Sequence, residues 1–188
     1  MPSWLLPPNL ITYLRLALAP LAANAIVDGR HQQALILVFA AGISDAIDGF
    51  LARHFRWQTR IGAYLDPIAD KLLLVLVFVA LAVYRSLPWW SVGLFLLRDI
   101  WILAMVFYAW KITSIRDFPP RRPGKVTTFV QILLALMLLV ANAFPGLAPP
   151  IVVTITLYTA CTLTVWSGVD YTISALIRYR DWRQTASN

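Results

Sequence analysis

The chain has 188 residues, 60% of them hydrophobic and only 13% charged, and its 16 Lys+Arg outnumber its 9 Asp+Glu to give a formal net charge of +7. An ordinary soluble domain carries about 25% charged residues, so this composition excludes intrinsic disorder and speaks against a nucleic-acid-binding domain. The single Cys161 excludes an intramolecular disulfide, which leaves a membrane protein whose basic residues mark one side of the bilayer.

A bilayer core about 30 Å thick needs about 20 mostly apolar residues per helix. Six such runs follow one another: Ile11 to Val27, Gln33 to Ala52, Ile61 to Tyr84, Trp89 to Trp110, Val126 to Phe144 and Ile151 to Ile177. They predict an all-α fold, an integral membrane bundle of six transmembrane helices forming a single domain over residues 1–188. The first run is the weakest because Arg15 interrupts it. The stretch from Arg15 to Ala23-Asn24-Ala25 has some likeness to a signal peptide, but Pro20 and the lack of basic residues before Arg15 favour a retained span. Connections are short, and the longest, Lys111 to Lys125, is punctuated by Pro119-Pro120 and Pro123-Gly124.

Six spans put both termini and the second and fourth connections on one side. That side holds Arg53, Arg56, Arg60, Lys111, Arg116, Arg121, Arg122, Lys125, Arg178, Arg180 and Arg183, whereas the other holds only Arg30 and Arg85. By the positive-inside rule the richer side is cytoplasmic, in a cell inner or plasma membrane. Trp89 and Trp90 read as interfacial anchors on the outer side.

All nine acidic residues are Asp, and four of them lie within the second and third runs. An Asp near a helix centre costs about 2.5–3.5 kcal/mol on insertion scales, so intramembrane carboxylates are functional candidates. Asp45 and Asp48 are spaced i, i+3, and Asp66 and Asp70 are spaced i, i+4, so each pair shares a helix face. If the two runs form an antiparallel hairpin around Arg53 to Arg60, both pairs lie about 8–15 Å below the cytoplasmic end. Four converging carboxylates repel one another unless a cation holds them. An all-oxygen set without His or Cys favours a hard ion, Mg²⁺ or Mn²⁺ with Ca²⁺ also open, and two ions would clamp a diphosphate for in-line displacement at phosphorus. Gly49 and Gly62 remove side-chain bulk where a phosphate must approach the backbone, and Arg53 offers a planar fork to its oxygens. Pro67 frees a carbonyl one turn earlier, which is tolerable beside a polar cavity.

Residues Asp45 to Asp70 read D-A-I-D-G-F-L-A-R, eight residues, then G-A-Y-L-D-P-I-A-D. This resembles the CDP-alcohol phosphatidyltransferase signature D-x2-D-G-x2-A-R-x8-G-x3-D-x3-D at every fixed position, with looser likeness from Pro8-Asn9 and Arg15 through Gly124-Lys125 and Gln131. The resemblance implies a six-span, homodimeric membrane enzyme that uses a divalent metal to move a phosphatidyl group from a CDP-activated lipid to an alcohol, releasing CMP. It assigns Asp45, Asp48 and Asp66 as metal ligands and Asp70 as general base and further ligand. Gly49, Ala52, Arg53 and Gly62 match positions lining the CDP site.

Within that family the chain resembles the glycerol branch. Glycerol 3-phosphate, giving phosphatidylglycerophosphate, is placed ahead of phosphatidylglycerol, giving cardiolipin, because Arg98 and Lys125 suit an acceptor with a free phosphate. Arg98-Asp99 reads equally as a structural ion pair, and its segment is nearer to the cardiolipin-forming members. Asp170 is a candidate partner for Arg15 or Arg98. A small transporter or ion pathway is the reading from another class, but it predicts paired broken spans in two halves, and the sequence has none.

Overall fold

The computed structural model describes residues 7–54, 60–112 and 122–186; within them, the side chains at 7–10, 46, 48–54, 60–64, 110, 112, 181–183, 185 and 186 lie outside the described set. The described residues form six helices and no strand: α1 Pro7–Val27, α2 His31–His54, α3 Arg60–Val83, α4 Trp89–Ile112, α5 Arg122–Ala143 and α6 Pro150–Ala186. Each coincides with one apolar run of the sequence.

Length and apolarity single out three of them as able to cross a membrane: Trp89–Ala109, Arg122–Ala143 and Pro150–Arg180. A shorter apolar stretch, Ile11–Val27, lies in α1. The expectation of an all-α chain is met among the described residues; of its six helices, three are clear spans by length and apolarity. Helices α2 and α3 are 24 residues each, long enough to span, but Asp45, Asp48, Asp66, Asp70 and Lys71 interrupt their apolar character.

The chain divides into two compact units. The first comprises Met1–Pro88 and Ala135–Pro149, and the second Trp89–Leu134 and Pro150–Asn188. In the first, α1 packs against both α2 and α3. Its buried face runs Thr12, Arg15, Ala19, Ala22 and Ile26, alternating steps of three and four that keep one stripe turned inward. Small residues on that stripe, with Ala34 and Ala41 of α2 and Ala69 of α3 also buried, let the helix backbones approach closely. The sequence reading takes α2 and α3 as an antiparallel hairpin; its connection lies outside the described residues, and α1 packs against both helices.

Helix α1 stops on a left-handed Gly29 (φ 75°), where Arg30 N–H donates to the Ala25 carbonyl (2.8 Å) and Gly29 N–H to the Ile26 carbonyl (3.1 Å). These two bonds satisfy carbonyls that the helix end would otherwise leave without donors. Helix α3 ends in the same way around Arg85 (φ 66°), a residue with a side chain in a conformation that glycine adopts without cost. Ser86 N–H donates to Leu81 (2.9 Å) and Arg85 N–H to Ala82 (3.0 Å).

In the second unit α4 packs against α6. Two polar pairs join helices here: Gln131 Nε2 donates to Thr164 Oγ1 (3.1 Å), and Trp101 Nε1 donates to Thr172 Oγ1 (3.0 Å). Exposed threonines of α6, among them Thr154, Thr159 and Thr162, donate to the carbonyl four residues earlier. Their hydroxyls are thereby satisfied without water. Leu97, Ile100, Leu103 and Phe107 of α4 and Ile155, Trp166 and Leu176 of α6 are exposed, an outer surface fit for lipid rather than water.

Candidate carboxylate and basic sites

The first unit gathers acidic side chains around α1. Arg15 is fully buried, and its Nη1 lies 2.7 Å from Asp70 Oδ1 and 3.1 Å from Asp45 Oδ1. A single nitrogen thus joins a carboxylate of α2 to one of α3, as the similar depths of the two Asp pairs required. One turn earlier, Thr12 Oγ1 donates to Asp66 Oδ1 at 2.6 Å. Thr12 and Arg15 are spaced i, i+3, so one face of α1 touches three carboxylates at once. The carboxylates themselves remain reachable, with side-chain exposures of 48% at Asp45 and 49% at Asp70.

These residues fit a hard divalent cation. The donors are all carboxylate oxygens, and two of them already share a cationic nitrogen, a stand-in for the positive charge that brings such groups together. Among the described residues, no three acidic, His or Cys side chains form a ready-made metal cage. The guanidinium of Arg15 supplies part of the neutralisation there.

Asp48, Gly49, Ala52 and Arg53 belong to α2 and Gly62 to α3, on the turns nearest the described carboxylates, and their side chains lie outside the described residues. Pro67, between Asp66 and Asp70, sits inside α3 and cannot donate to the carbonyl four residues earlier.

The second unit holds the basic candidates. Arg98 Nη1 lies 3.0 Å from Asp99 Oδ1, Nη2 donates to the buried Ser167 Oγ, and the guanidinium stands 5.7 Å from the Tyr171 ring centroid. This is the paired arrangement that the sequence left open as one of two readings. Arg98 also reaches α5: a Cβ on Gly124 would fall 3.2 Å from its Nη2 and 3.1 Å from Tyr171. Glycine at 124 therefore permits a close approach that any side chain would crowd. Lys125, the next residue, is exposed, while Thr127 is buried and donates to the carbonyls of Pro123 (2.9 Å) and Leu163 (3.0 Å). Arg98 and the Gly124-Lys125 turn are thus neighbours. Arg15, a candidate partner for Asp170 from sequence, pairs with Asp45 and Asp70.

Sequence reasoning missed Thr12 and undervalued Arg15, which it treated as an interruption of an apolar run. The available signal was positional. Both residues fall on the same three-and-four stripe as Ala19, Ala22 and Ile26, and a polar residue on a helix's inward face needs a buried partner.

Comparison with known proteins bears on this geometry. The family model described as CDP-alcohol phosphatidyltransferase matches residues 5–166. A probable phosphatidylglycerophosphate synthase of Mycobacterium tuberculosis is 34% identical over 187 residues, covering 95% of this chain and 86% of the relative. A CDP-diacylglycerol–glycerol-3-phosphate 3-phosphatidyltransferase of Pectobacterium atrosepticum is 35% identical over 173 residues, covering 87% and 91%. The CMP-forming cardiolipin synthase of Homo sapiens is 30% identical over 153 residues, covering 73% of this chain and 51% of the relative.

Proposed function

The chain belongs to the CDP-alcohol phosphatidyltransferase family, and from that premise we propose that it transfers a phosphatidyl group from CDP-diacylglycerol to glycerol 3-phosphate, forming phosphatidylglycerophosphate and CMP. The observation that carries the reading is the meeting of Asp45 and Asp70, from two helices, at one cationic point. Near end-to-end similarity to two relatives named for this reaction supports the acceptor.

Asp45, Asp48, Asp66 and Asp70 would hold a divalent cation, Mg²⁺ or Mn²⁺. When bound, it would offset the charge of the diphosphate and of the departing CMP. Gly49, Ala52, Arg53 and Gly62 line the CDP site, the glycines by admitting phosphate close to the backbone and Arg53 by a forked contact. Asp70 accepts the proton of the acceptor hydroxyl. The hydroxyl oxygen bonds to the phosphorus bearing diacylglycerol, and the bond from that phosphorus to the oxygen bridging to CMP breaks, leaving the electron pair on CMP. Arg98 and Lys125 serve the acceptor phosphate, a role proposed on their chemistry.

All six helices span an inner or plasma membrane as one domain over 1–188, with the basic side and the carboxylates toward the cytoplasm, and the enzyme works as a homodimer. The cytoplasmic placement rests on the arginine and lysine distribution. Membrane passage of α2 and α3 despite their carboxylates is supported by the pairing of Asp45, Asp66 and Asp70 with groups of α1.

Purified protein given CDP-diacylglycerol and Mg²⁺ with glycerol 3-phosphate or with phosphatidylglycerol tests the reading. Phosphatidylglycerophosphate formed with the first acceptor is the expected result. Cardiolipin formed with the second would transfer the assignment to the activity named for the human relative. CMP release with neither acceptor would overturn both.

A further inference from the structure

Arg15 has a role distinct from those of the signature carboxylates. A guanidinium stays protonated in proteins, and a charge with no exposed surface persists only when opposite charge surrounds it. Conversely, ionised Asp45 and Asp70 repel one another at a common point unless a cation stands between them. In the structure each condition is met by the other, since the same Nη1 contacts both carboxylates.

We propose that Arg15 is the resident counter-cation of the carboxylate site: a positioning residue that holds α2 and α3 in register when no metal is bound. The proposal rests on the reading that these carboxylates take a divalent cation. Three observations carry it. Arg15 is the largest of the fully buried side chains among the described residues, so it is a structural element of the first unit rather than a snorkelling group. Its partners come from two different helices, both of which α1 packs against. The contacts with Thr12 and Arg15 engage one oxygen each of Asp45, Asp66 and Asp70, and Asp45 and Asp70 stay about half exposed. One guanidinium charge against three described carboxylates leaves an excess of negative charge, on reachable groups, for an incoming ion.

The consequence is a fold that does not need metal. Removing the guanidinium would leave a repulsion between ionised carboxylates that bound metal, a proton or loss of a carboxylate relieves, so all proteins are compared at one pH where wild-type carboxylates are ionised. Replacing both members of a buried ion pair is often tolerated where removing one is not, which provides a test that packing alone would not pass.

Full-length protein in detergent is compared as wild type, Arg15→Gln, Arg15→Lys and the double variant Arg15→Gln/Asp45→Asn. Mn²⁺ binding is read by the loss of the free-ion electron paramagnetic resonance signal, and thermal unfolding is read in EDTA and in saturating Mg²⁺. Wild type should unfold at nearly the same temperature in both media. Arg15→Gln should bind Mn²⁺ about 10-fold or more tightly, because a like charge beside the site is gone. It should also show at least twice the wild-type difference between EDTA and Mg²⁺, and Arg15→Lys should restore the small difference. The double variant should regain most of the stability in EDTA. Equal loss of stability by Arg15→Gln in both media, weaker Mn²⁺ binding, or no rescue by Asp45→Asn would each overturn the proposal. Should Arg15→Gln fail to fold, rescue or failure in the double variant decides the matter. Absence of Mn²⁺ binding by wild type would instead sink the metal reading, and rescue in EDTA would still judge the counter-cation.

Discussion

Thr12 and Asp66, 54 residues apart in the chain, are joined by a 2.6 Å bond in which the threonine hydroxyl donates to a carboxylate oxygen. The donor is buried and the acceptor is half-buried, so the bond fixes the carboxylate's orientation from one side and leaves the other approachable. A hydroxyl in this position acts as groups behind metal ligands generally do, by setting the direction of a ligand it does not replace.

Thr12→Val keeps the shape of the side chain and removes the donor. Activity or Mg²⁺ affinity should fall by about 10–100-fold, as for other losses of a ligand's orienting partner, while Thr12→Ser should stay near wild type. The measurement is turnover against Mg²⁺ concentration for the three proteins. Equal behaviour of the Val and Ser variants would reduce the bond to a packing detail.

Asp70 is assigned the proton transfer. Asp70→Asn is nearly isosteric, cannot accept that proton, and should lower turnover by at least about 10²-fold, the usual loss for a general base. The variant also weakens the contact with Arg15 Nη1, so unfolding temperature should be recorded beside activity. Turnover within a few-fold of wild type would remove Asp70 from the role whatever happens to stability.

The fold was legible because its signal is periodic and long. Each of the six helices follows an apolar run. The acidic pairs were legible because carboxylates at i, i+3 and i, i+4 inside apolar segments are costly to insert, and a shared ligand on that helix face offsets the cost. The partners of those pairs were not legible. That Arg15 meets Asp70 across 55 residues depends on which helices pack together, and α1 packing against both α2 and α3 is a choice that helical periodicity leaves undetermined. Arg98 was ambiguous for a related reason: its pairing with the adjacent Asp99 is local, but its contacts with Ser167, Tyr171 and the Gly124 turn arise only once α4, α5 and α6 are assembled.

Arg85 closes α3 in the left-handed region at φ 66°, where a side chain costs about 1–2 kcal/mol relative to right-handed backbone. Arg85→Gly keeps both closing hydrogen bonds, since they are made by backbone groups, and removes the Cβ. The expected outcome is a gain of about 0.5–1 kcal/mol, read as a higher midpoint of thermal unfolding in detergent. Arg85→Ala retains the Cβ and should not gain. A Gly variant no more stable than the Ala variant would show that strain at this turn is already relieved by its neighbours.

Arg98 and Lys125 are neighbours in the second unit, yet their surroundings predict opposite signatures. Arg98 is largely buried, with side-chain exposure of 11%, beside an Asp99 at 12%. Breaking a buried pair by removing one member costs about 3–5 kcal/mol. Arg98→Gln should therefore lower the unfolding temperature sharply, and any rise in the KM for glycerol 3-phosphate will accompany that loss. Lys125 is exposed at the start of α5, so Lys125→Gln removes a charge with little structural cost and should change the unfolding midpoint by no more than the scatter typical of surface substitutions, about ±0.5 kcal/mol. Its effect should fall on the acceptor: a KM for glycerol 3-phosphate raised about 10-fold, with the KM for CDP-diacylglycerol unchanged, as expected for one lost contact between an ammonium and a phosphate. Steady-state kinetics with each substrate varied in turn, beside unfolding curves, separates the two residues. A Lys125→Gln enzyme with wild-type acceptor dependence would take Lys125 out of the acceptor site. An Arg98→Gln enzyme that loses stability but keeps the wild-type acceptor KM would take Arg98 out of the acceptor site and leave it a residue that braces the α5 turn.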